Sequence, residues 1–414
     1  MSDVVIVGAG LAGLSCALRL QEAGVDFVLL EAADAPGGRV RTDEHRGFLF
    51  DRGFQVFLTS YAEASRLLDY GSLDLQFFEA GALVFRQGRF SPMVDPWRRP
   101  SAMFRCLFGG CGSFMDKFRM ARLRSRVTAP DLDTLLALPE ISTREALRQE
   151  GFSDELVESF FRPFLGGVFL DNDLTTSSRK FHWAFRMFSK GRAAVPLRGM
   201  GRIAEQLAAG LGAGRLQLNC PVERVTKGCV HAADGRTLLC SQIVVATDAA
   251  TAVRLIDGLP EPRYRAVTTL YYSLSEPPVR GPILLLNGEP RGIVNHLAFM
   301  SEVSSLYAPR GRVLASVTVL GNPARDDAAL DDEVRRQLVD WFGMRVGEWK
   351  LERVYRIAHA LPDQSQGALS VVRRSPRLQD WLVAAGDWRN IASINGALES
   401  GRLAAESVLE KVLA

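Results

Sequence analysis

The sequence predicts an α/β fold in two domains. An uninterrupted β-branched run, Val4-Val5-Ile6-Val7, enters Gly8-Ala9-Gly10-Leu11-Ala12-Gly13 and then a helical period at Leu14, Ala17, Leu18 and Leu20. Strand-like apolar runs of the same kind recur at Ile243-Val244-Val245-Ala246 and Leu382-Val383-Ala384-Ala385. The chain has 414 residues, more than the roughly 250–300 at which a single core stops growing.

The first element is a strand because four consecutive β-branched residues suit a position buried on both faces of a parallel sheet. The glycines then mark a strand-to-helix turn. Gly8 permits the tight turn, Gly10 lets a diphosphate approach the backbone, and Gly13 lets helix and strand pack closely. The helix start, at Leu11 and Ala12, offers free N–H groups and a positive dipole end to phosphate. The second strand, Phe27-Val28-Leu29-Leu30, ends in Glu31, 18 residues after Gly13. An acid there accepts hydrogen bonds from a ribose 2′-hydroxyl and disfavours a 2′-phosphate, hence NADP. This unit leaves NAD and FAD both open.

Composition narrows the partners. Fifty basic against 47 acidic residues give a net charge of +3, which offers no globally basic surface for nucleic acid. Cysteines at 16, 106, 111, 220, 229 and 240 form no C-x-x-C pair, and histidines at 45, 182, 231, 296 and 359 form no metal-binding pattern. No metal site and reduced, intracellular thiols are expected. Met1-Ser2-Asp3 runs directly into an apolar strand with no cationic lead, so no secretory signal is expected, and no 18-residue apolar stretch predicts a membrane span.

The segment after Glu31 is more specific. Ala32 and Ala33 lead into Asp34-Ala35-Pro36-Gly37-Gly38-Arg39, then Gly47-Phe48-Leu49-Phe50-Asp51-Arg52-Gly53. Here the sequence resembles the flavin-containing amine oxidoreductase superfamily, in particular its phytoene desaturase, protoporphyrinogen oxidase and squalene-associated branch. The resemblance implies a two-domain, FAD-binding Rossmann-like fold with a discontinuous α+β substrate domain. It implies that Gly37, Gly38 and Arg39 wrap the FAD diphosphate and ribityl chain, and that Gly53, Phe54 and Gln55 lie beneath the flavin. In the middle of the chain, Val222 to Val230 reads as a hairpin feeding the strand that ends at Ala246; the resemblance makes Val222 the residue that holds adenine through its backbone. At the C-terminal end it assigns Gly386 and Asp387 to the ribityl and diphosphate oxygens, and Ser393, Ile394 and Ala397, at a helix start, to the flavin edge. Pro196-x-x-Gly199-Met200-Gly201, leading into Ile203, Leu207 and Leu211, resembles a further flavin-proximal turn. The implied domains are 1–75, 191–265 and 376–414 for FAD, and 76–190 and 266–375 for substrate.

Gly110-Cys111-Gly112 and Gly210-Leu211-Gly212 follow no buried strand, so a second nucleotide unit is not expected and the electron acceptor is external: oxygen, a quinone or a protein. No cysteine lies in the C-terminal flavin motif, so FAD is expected to be non-covalent. The segment Phe160 to Phe169, followed by Phe181, Trp183, Phe185 and Phe188, is read as half or more plain core, with the excess pointing to an apolar pocket. Amine oxidases of the superfamily place a lysine on a strand corresponding to Ala266–Leu274; this chain has no lysine between Lys227 and Lys350 and carries Thr268 and Thr269 there, read as strand residues. That argues against amine oxidation and favours the branch acting on hydrocarbons or porphyrin-like rings. The expected function is hydride transfer to flavin from an apolar, isoprenoid or carotenoid-like substrate, with amine or protoporphyrinogen oxidation, or an FAD-binding module without turnover, as alternatives. Asp51 to Tyr61, followed by an expected helix from Ala64 to Tyr70, resembles the desaturase-type stretch, with Phe54 and Gln55 in place of its usual histidine. No catalytic base is assigned; Arg162, His182 and Gln55 are the nearest polar residues and are read as structural.

Charge is uneven. Residues 86–126 hold ten basic and two acidic residues, a local +8 that leaves −5 elsewhere, interleaved with Trp97, Phe104, Phe108, Phe114, Met115, Phe118 and Met120. Such a mixture suits either a helix pair on an anionic bilayer or a basic lid on its own domain. The expected location is cytoplasmic, with peripheral contact to the inner membrane face if the first holds.

Overall fold

The computed structural model of the chain describes residues 3–94 and 112–412. Two sheets organise it. The first has six strands in the order 216–217, 27–30, 4–7, 242–245, 382–384 and 377–379, parallel except for the last. Val4–Val7, Phe27–Leu30 and Gln242–Val245 are buried at every position, as a parallel sheet covered on both faces requires. The expected hairpin is a three-stranded antiparallel sheet of Val222–Thr226, Cys229–Ala232 and Thr237–Leu239, which feeds Gln242–Val245.

Two helices cover one face of the six-stranded sheet at unusually close range. Leu11–Glu22 and Ile394–Val412 touch where a Cβ on Gly401 would stand 2.1 Å from the Ala12 carbonyl oxygen. The Ser15 hydroxyl donates to the Leu398 carbonyl across the same seam, at 2.8 Å. Small residues on both helices place their starts side by side at the C-terminal edge of the sheet.

The second sheet has seven strands in the order 350–362, 264–274, 313–320, 294–299, 284–287, 81–86 and 89–94, antiparallel except for the 284–287 and 81–86 pair. Period-two alternation divides its faces. Leu270, Tyr272, Val317 and Phe299 pack with Leu330, Val334, Leu338 and Trp341 of helix Asp327–Phe342. Burial of each such side chain contributes about 1.5–3 kcal/mol. The opposite face carries Val267, Thr269, Thr318 and His296 and turns toward the FAD motifs.

Some local expectations differ. The helix expected over Ala64–Tyr70 is two short ones, Ala62–Leu67 and Tyr70–Leu73. The chain turns extended at Leu68, and the Asp69 carboxylate restarts it by accepting from Gly71 and Ser72 N–H groups. The helix after Gly199 ends at Ala209, leaving Leu211 beyond it.

Candidate active site

A cavity of about 1730 Å³ lies between the two sheets. Ligand sites usually run to about 300–1,000 Å³, so this one has room for a dinucleotide and a second molecule. One end is built from the motifs read in the sequence. Gly8, Gly10, Leu11, Ala12, Glu31, Ala32, Gly37, Gly38, Arg39, Gly53, Phe54, Gln55, Val222, Ala246, Gly386, Asp387, Ser393, Ile394 and Ala397 all line it. Gly13 does not line it; its place is behind the turn, where a Cβ would stand 1.9 Å from the Gly8 carbonyl oxygen.

The glycines divide into two kinds. At Gly10 the backbone is ordinary, with φ −69°, and a Cβ would meet nothing within 4 Å. That glycine holds open a space at the start of helix Leu11–Glu22, where unpaired N–H groups favour an anion. Gly8 and Gly37 instead have φ values of +100° and +118°, a region that side chains rarely enter. The Gly37 N–H donates to the Ala9 carbonyl at 2.8 Å, which lays the Gly37-Gly38 turn across the first glycine loop. Glu31 is held by the N–H groups of Ala9 at 2.7 Å and Ala33 at 2.9 Å. Each carboxylate oxygen keeps a second acceptor position for a ribose hydroxyl. An open cradle at a helix start, with an acid at the neighbouring strand end, fits the diphosphate and ribose of FAD.

Arg39 joins two motifs far apart in sequence. Its guanidinium donates to Asp387 at 2.6 Å and to the Ala360 carbonyl at 2.9 Å. Burial works against the charged guanidinium, yet the neighbouring Asp387 carboxylate outweighs it and raises the Arg39 pKa. Gln55 donates to the carbonyls of Arg39 and Arg52, so it braces the turn. Asp51, to which the motif reading assigns no role, proves central. Its buried carboxylate accepts from Thr42 Oγ1 at 2.5 Å, Met200 N–H at 2.9 Å and the Tyr307 hydroxyl at 2.5 Å. Burial pushes its pKa up, against the pull of those three bonds. The Asp51 carboxylate thus ties the Gly53 turn, the Gly199-Met200 turn and Tyr307 together.

The other end of the cavity is aromatic. Phe160, Phe164, Phe185 and Phe188 line it together with Phe77, Phe78 and Met120, while Phe161 and Phe181 are fully buried behind them. The split between core and pocket follows from helix Arg162–Phe169 and a π-helical turn at Val157–Phe161, which present successive aromatics to different sides. Of the three polar residues read as structural, Arg162 is satisfied by the Glu289 carbonyl and Glu158. His182 is less settled, with a buried Nδ1 that has no partner.

Among the polar lining residues that the sequence reading does not single out are Lys180 and His296. Lys180, on helix Ser178–Lys190, is buried in the cavity wall. Its ammonium lies 5.7 Å from the Phe169 ring centre. Burial lowers its pKa to about 7, against the attraction of Asp387, Asp363 and Asp171. His296 lines the roof with a buried, unpartnered Nε2. Burial holds its pKa down at about 3. Thr268 is a satisfied strand residue, donating to the Gly321 carbonyl at 2.9 Å, whereas Thr269 and Thr318 have buried hydroxyls without a partner.

A model of the flavin-containing amine oxidoreductase family matches residues 11–409. The chain belongs to that family. It is an FAD-dependent oxidoreductase. Over 99% of its length, and 91% of the relative's, it is 24% identical to coproporphyrinogen III oxidase of Propionibacterium freudenreichii subsp. freudenreichii. A 53-residue stretch, 13% of this chain and 11% of the relative, is 49% identical to the lycopene-forming phytoene desaturase of Pantoea ananas. Putrescine oxidase bound to putrescine shares the fold across 99% of both chains, with a TM-score of 0.72 at 16% identity. The α/β, two-domain FAD-binding fold expected from the motifs is that of this family member.

Proposed function

We propose that this amine oxidoreductase family member removes a hydride from an activated C–H of a large, mainly apolar, isoprenoid-like substrate and passes the electrons to an external acceptor. The observation that carries the reading is the continuity of the glycine-lined cradle with the aromatic chamber in one cavity.

When bound, FAD supplies the two-electron acceptor. The Gly10 cradle and the start of helix Leu11–Glu22 hold its diphosphate, Glu31 its ribose, and the Val222 backbone its adenine. Gly386, Asp387 and Arg39 secure the ribityl side. The start of helix Ile394–Val412, with Ser393 and Ala397, places a positive dipole end at the flavin edge, where reduction adds negative charge. Phe160, Phe164, Phe185 and Phe188 orient the substrate and exclude water, which counts for more than any single acid or base when the reacting bond is C–H. Lys180 holds or releases a proton near neutral pH at the cavity wall. Non-covalent attachment of FAD is supported, among the described cysteines, by Cys220 lining the cavity on the Val222 side, away from the Ser393–Ala397 helix start, and by Cys16, Cys229 and Cys240 not lining it.

A second reading is oxidation of a porphyrinogen. It is favoured by the similarity to coproporphyrinogen III oxidase along nearly the whole chain, where the desaturase match covers 13%. Anaerobic mixing of the holoenzyme with carotenoid precursors, porphyrinogens and amines separates the readings by which class bleaches the flavin. Bleaching by amines alone would contradict both.

Substrate entry is proposed at helix Phe114–Thr128. Its inner side meets the cavity through Lys117, Met120 and Arg124, and Phe114, Met115 and Phe118 are exposed. Arg122 and Arg126 both bind Glu150, and Leu123 and Val127 are fully buried, so the basic charge here partly serves to dock the helix on its own domain. The exposed Phe114, Met115 and Phe118 support peripheral contact with an anionic inner membrane face. Asp95, Trp97, Arg98, Arg99, Phe104, Arg105, Cys106, Phe108 and Cys111 of the basic segment lie outside the described residues. No helix among the described residues is long and apolar enough to cross a membrane. Flotation with anionic and neutral liposomes tests the contact: binding to anionic liposomes that Phe114→Ser and Phe118→Ser abolish supports it, and no binding leaves the helix as a lid.

A further inference from the structure

The roof of the cavity carries a row of hydrogen-bonding groups without partners. Thr269 pairs in register with Thr318, and Thr318 with His296, across three neighbouring strands. Thr269 Oγ1, Thr318 Oγ1 and His296 Nε2 are all buried and unpartnered. A buried polar atom without a partner costs about 1–3 kcal/mol, and native structures hold few of them. Thr318 and His296 line the cavity, whereas Thr269 does not, and two adjacent unpartnered groups in the cavity wall call for a ligand.

The hydrogen bonds around His296 decide what kind. Asn295 Nδ2 lies 2.9 Å from the Pro163 carbonyl oxygen. A carbonyl only accepts, so that Asn295 atom must be the NH2 nitrogen. The same nitrogen lies 2.9 Å from His296 Nδ1, which must therefore be the accepting ring nitrogen. The proton of the neutral imidazole is then on Nε2, and the unpartnered atom is a donor. The Phe54 ring packs against the imidazole at 4.7 Å between centres, and an aromatic face gives an N–H only a fraction of what an oxygen gives. Nor is the missing partner a carboxylate by design. Burial alone sets the low pKa of His296, with no charged group contributing, and an ionised oxygen buried there would lack a counter-charge.

The row also stands on the substrate side. Val267, two residues from Thr269 on the same strand, and Ile357 close over Gly53, where a Cβ would lie 3.9 and 3.0 Å from their methyl groups. His296 is two strands further across, about 10 Å at ordinary strand spacing.

We propose that His296 Nε2–H and the Thr318 hydroxyl form a subsite for a neutral oxygen acceptor, a carbonyl or hydroxyl, so that the substrate is an oxygenated apolar molecule and not a pure hydrocarbon. This rests on the apolar-substrate reading above and narrows it.

The probes are farnesal and farnesol against the hydrocarbon farnesene, matched in carbon skeleton, with binding to the holoenzyme followed by quenching of tryptophan fluorescence. Wild-type protein binds the oxygenated probes about tenfold or more tightly, His296→Phe removes the preference, and the isosteric Thr318→Val reduces it. With 15N-labelled histidine, the Nε2–H resonance of the wild-type protein moves with farnesal and stays with farnesene, a readout that needs no variant. Equal binding of all three probes, with an unmoved resonance, overturns the subsite and leaves the apolar reading intact. Binding of none overturns both.

Discussion

Arg39 and Asp387 are 348 positions apart, and their side chains meet at 2.6 Å on the wall of the FAD site. The pair closes a ring in which the second glycine loop and the C-terminal flavin motif support each other. Asp387 is almost fully buried, whereas Arg39 keeps about a third of its side chain exposed, at 34%. Removing the arginine leaves a buried carboxylate without its counter-charge. Arg39→Ala is therefore expected to cost roughly 2 kcal/mol of stability, less than the roughly 3–5 kcal/mol of a fully buried pair because the arginine is a third exposed, and to weaken FAD binding at least tenfold. Thermal melting and the flavin retained after gel filtration read the two effects separately.

Gly10 and Gly13 should fail in different ways. A Cβ at Gly10 meets no protein atom within 4 Å, and the backbone there is unstrained. Gly10→Val is expected to leave the apoprotein within about 0.5 kcal/mol of wild type while abolishing FAD binding. A methyl at Gly13 collides with the Gly8 carbonyl, so Gly13→Ala is expected to cost roughly 2–4 kcal/mol through forced overpacking. Melting of the two apoproteins, side by side, is the check.

Lys180 gives a pH signature. Its pKa falls from 10.5 to about 7 on burial, so between those values the unfolded chain binds the extra proton and stability rises with pH. Below pH 7 the burial penalty of the ammonium is fully present. Lys180→Met should therefore melt higher than wild type at pH 6, with the gain shrinking toward pH 10. It should also remove an inflection near pH 7 from the rate of anaerobic flavin reduction.

His296 and His182 titrate in the same sense at lower pH. Burial lowers them from 6.5 to about 3 and about 4, His182 also being disfavoured as a cation by Arg126. Both stay neutral in the fold while the unfolded chain takes up protons. Their contribution is complete above pH 6.5 and is lost as pH falls toward 3–4. Melting temperature should drop between pH 6.5 and 4.5, less steeply in a His182→Gln, His296→Gln double variant.

The FAD end of the cavity is legible in the sequence because its chemistry is carried by backbone. A cradle for diphosphate needs glycine at fixed offsets between a strand and a helix, and these offsets are visible in one dimension: the residues named for that end line the cavity, except Gly13, whose task is packing, and the 196–201 turn, which does not line it and is tied to Asp51 through the Met200 N–H. The substrate end is not legible in this way. Lys180 sits in a sequence of helix-forming residues, and nothing local marks which turn faces a cavity. His296 looks like a strand residue, and its meaning depends on Asn295, on the Pro163 carbonyl and on two threonines from other strands. The role of Asp51 likewise requires Tyr307, 256 positions away. Contacts between distant segments decide these cases, and no periodicity encodes them. The same limit explains the basic segment, where the ion pairs of Arg122 and Arg126 with Glu150 use inside the molecule some of the charge that composition assigned to an outer surface.

One cavity joins an FAD cradle to a chamber for a large apolar substrate, and anaerobic titration of the purified holoenzyme, followed at the flavin band near about 450 nm, tests that union most directly. Stoichiometric bleaching by an oxygenated isoprenoid-type substrate, abolished in the Gly10→Val protein, is the expected result. A protein that purifies without flavin and takes up none, or one whose bound flavin is reduced only by small amines, would contradict it.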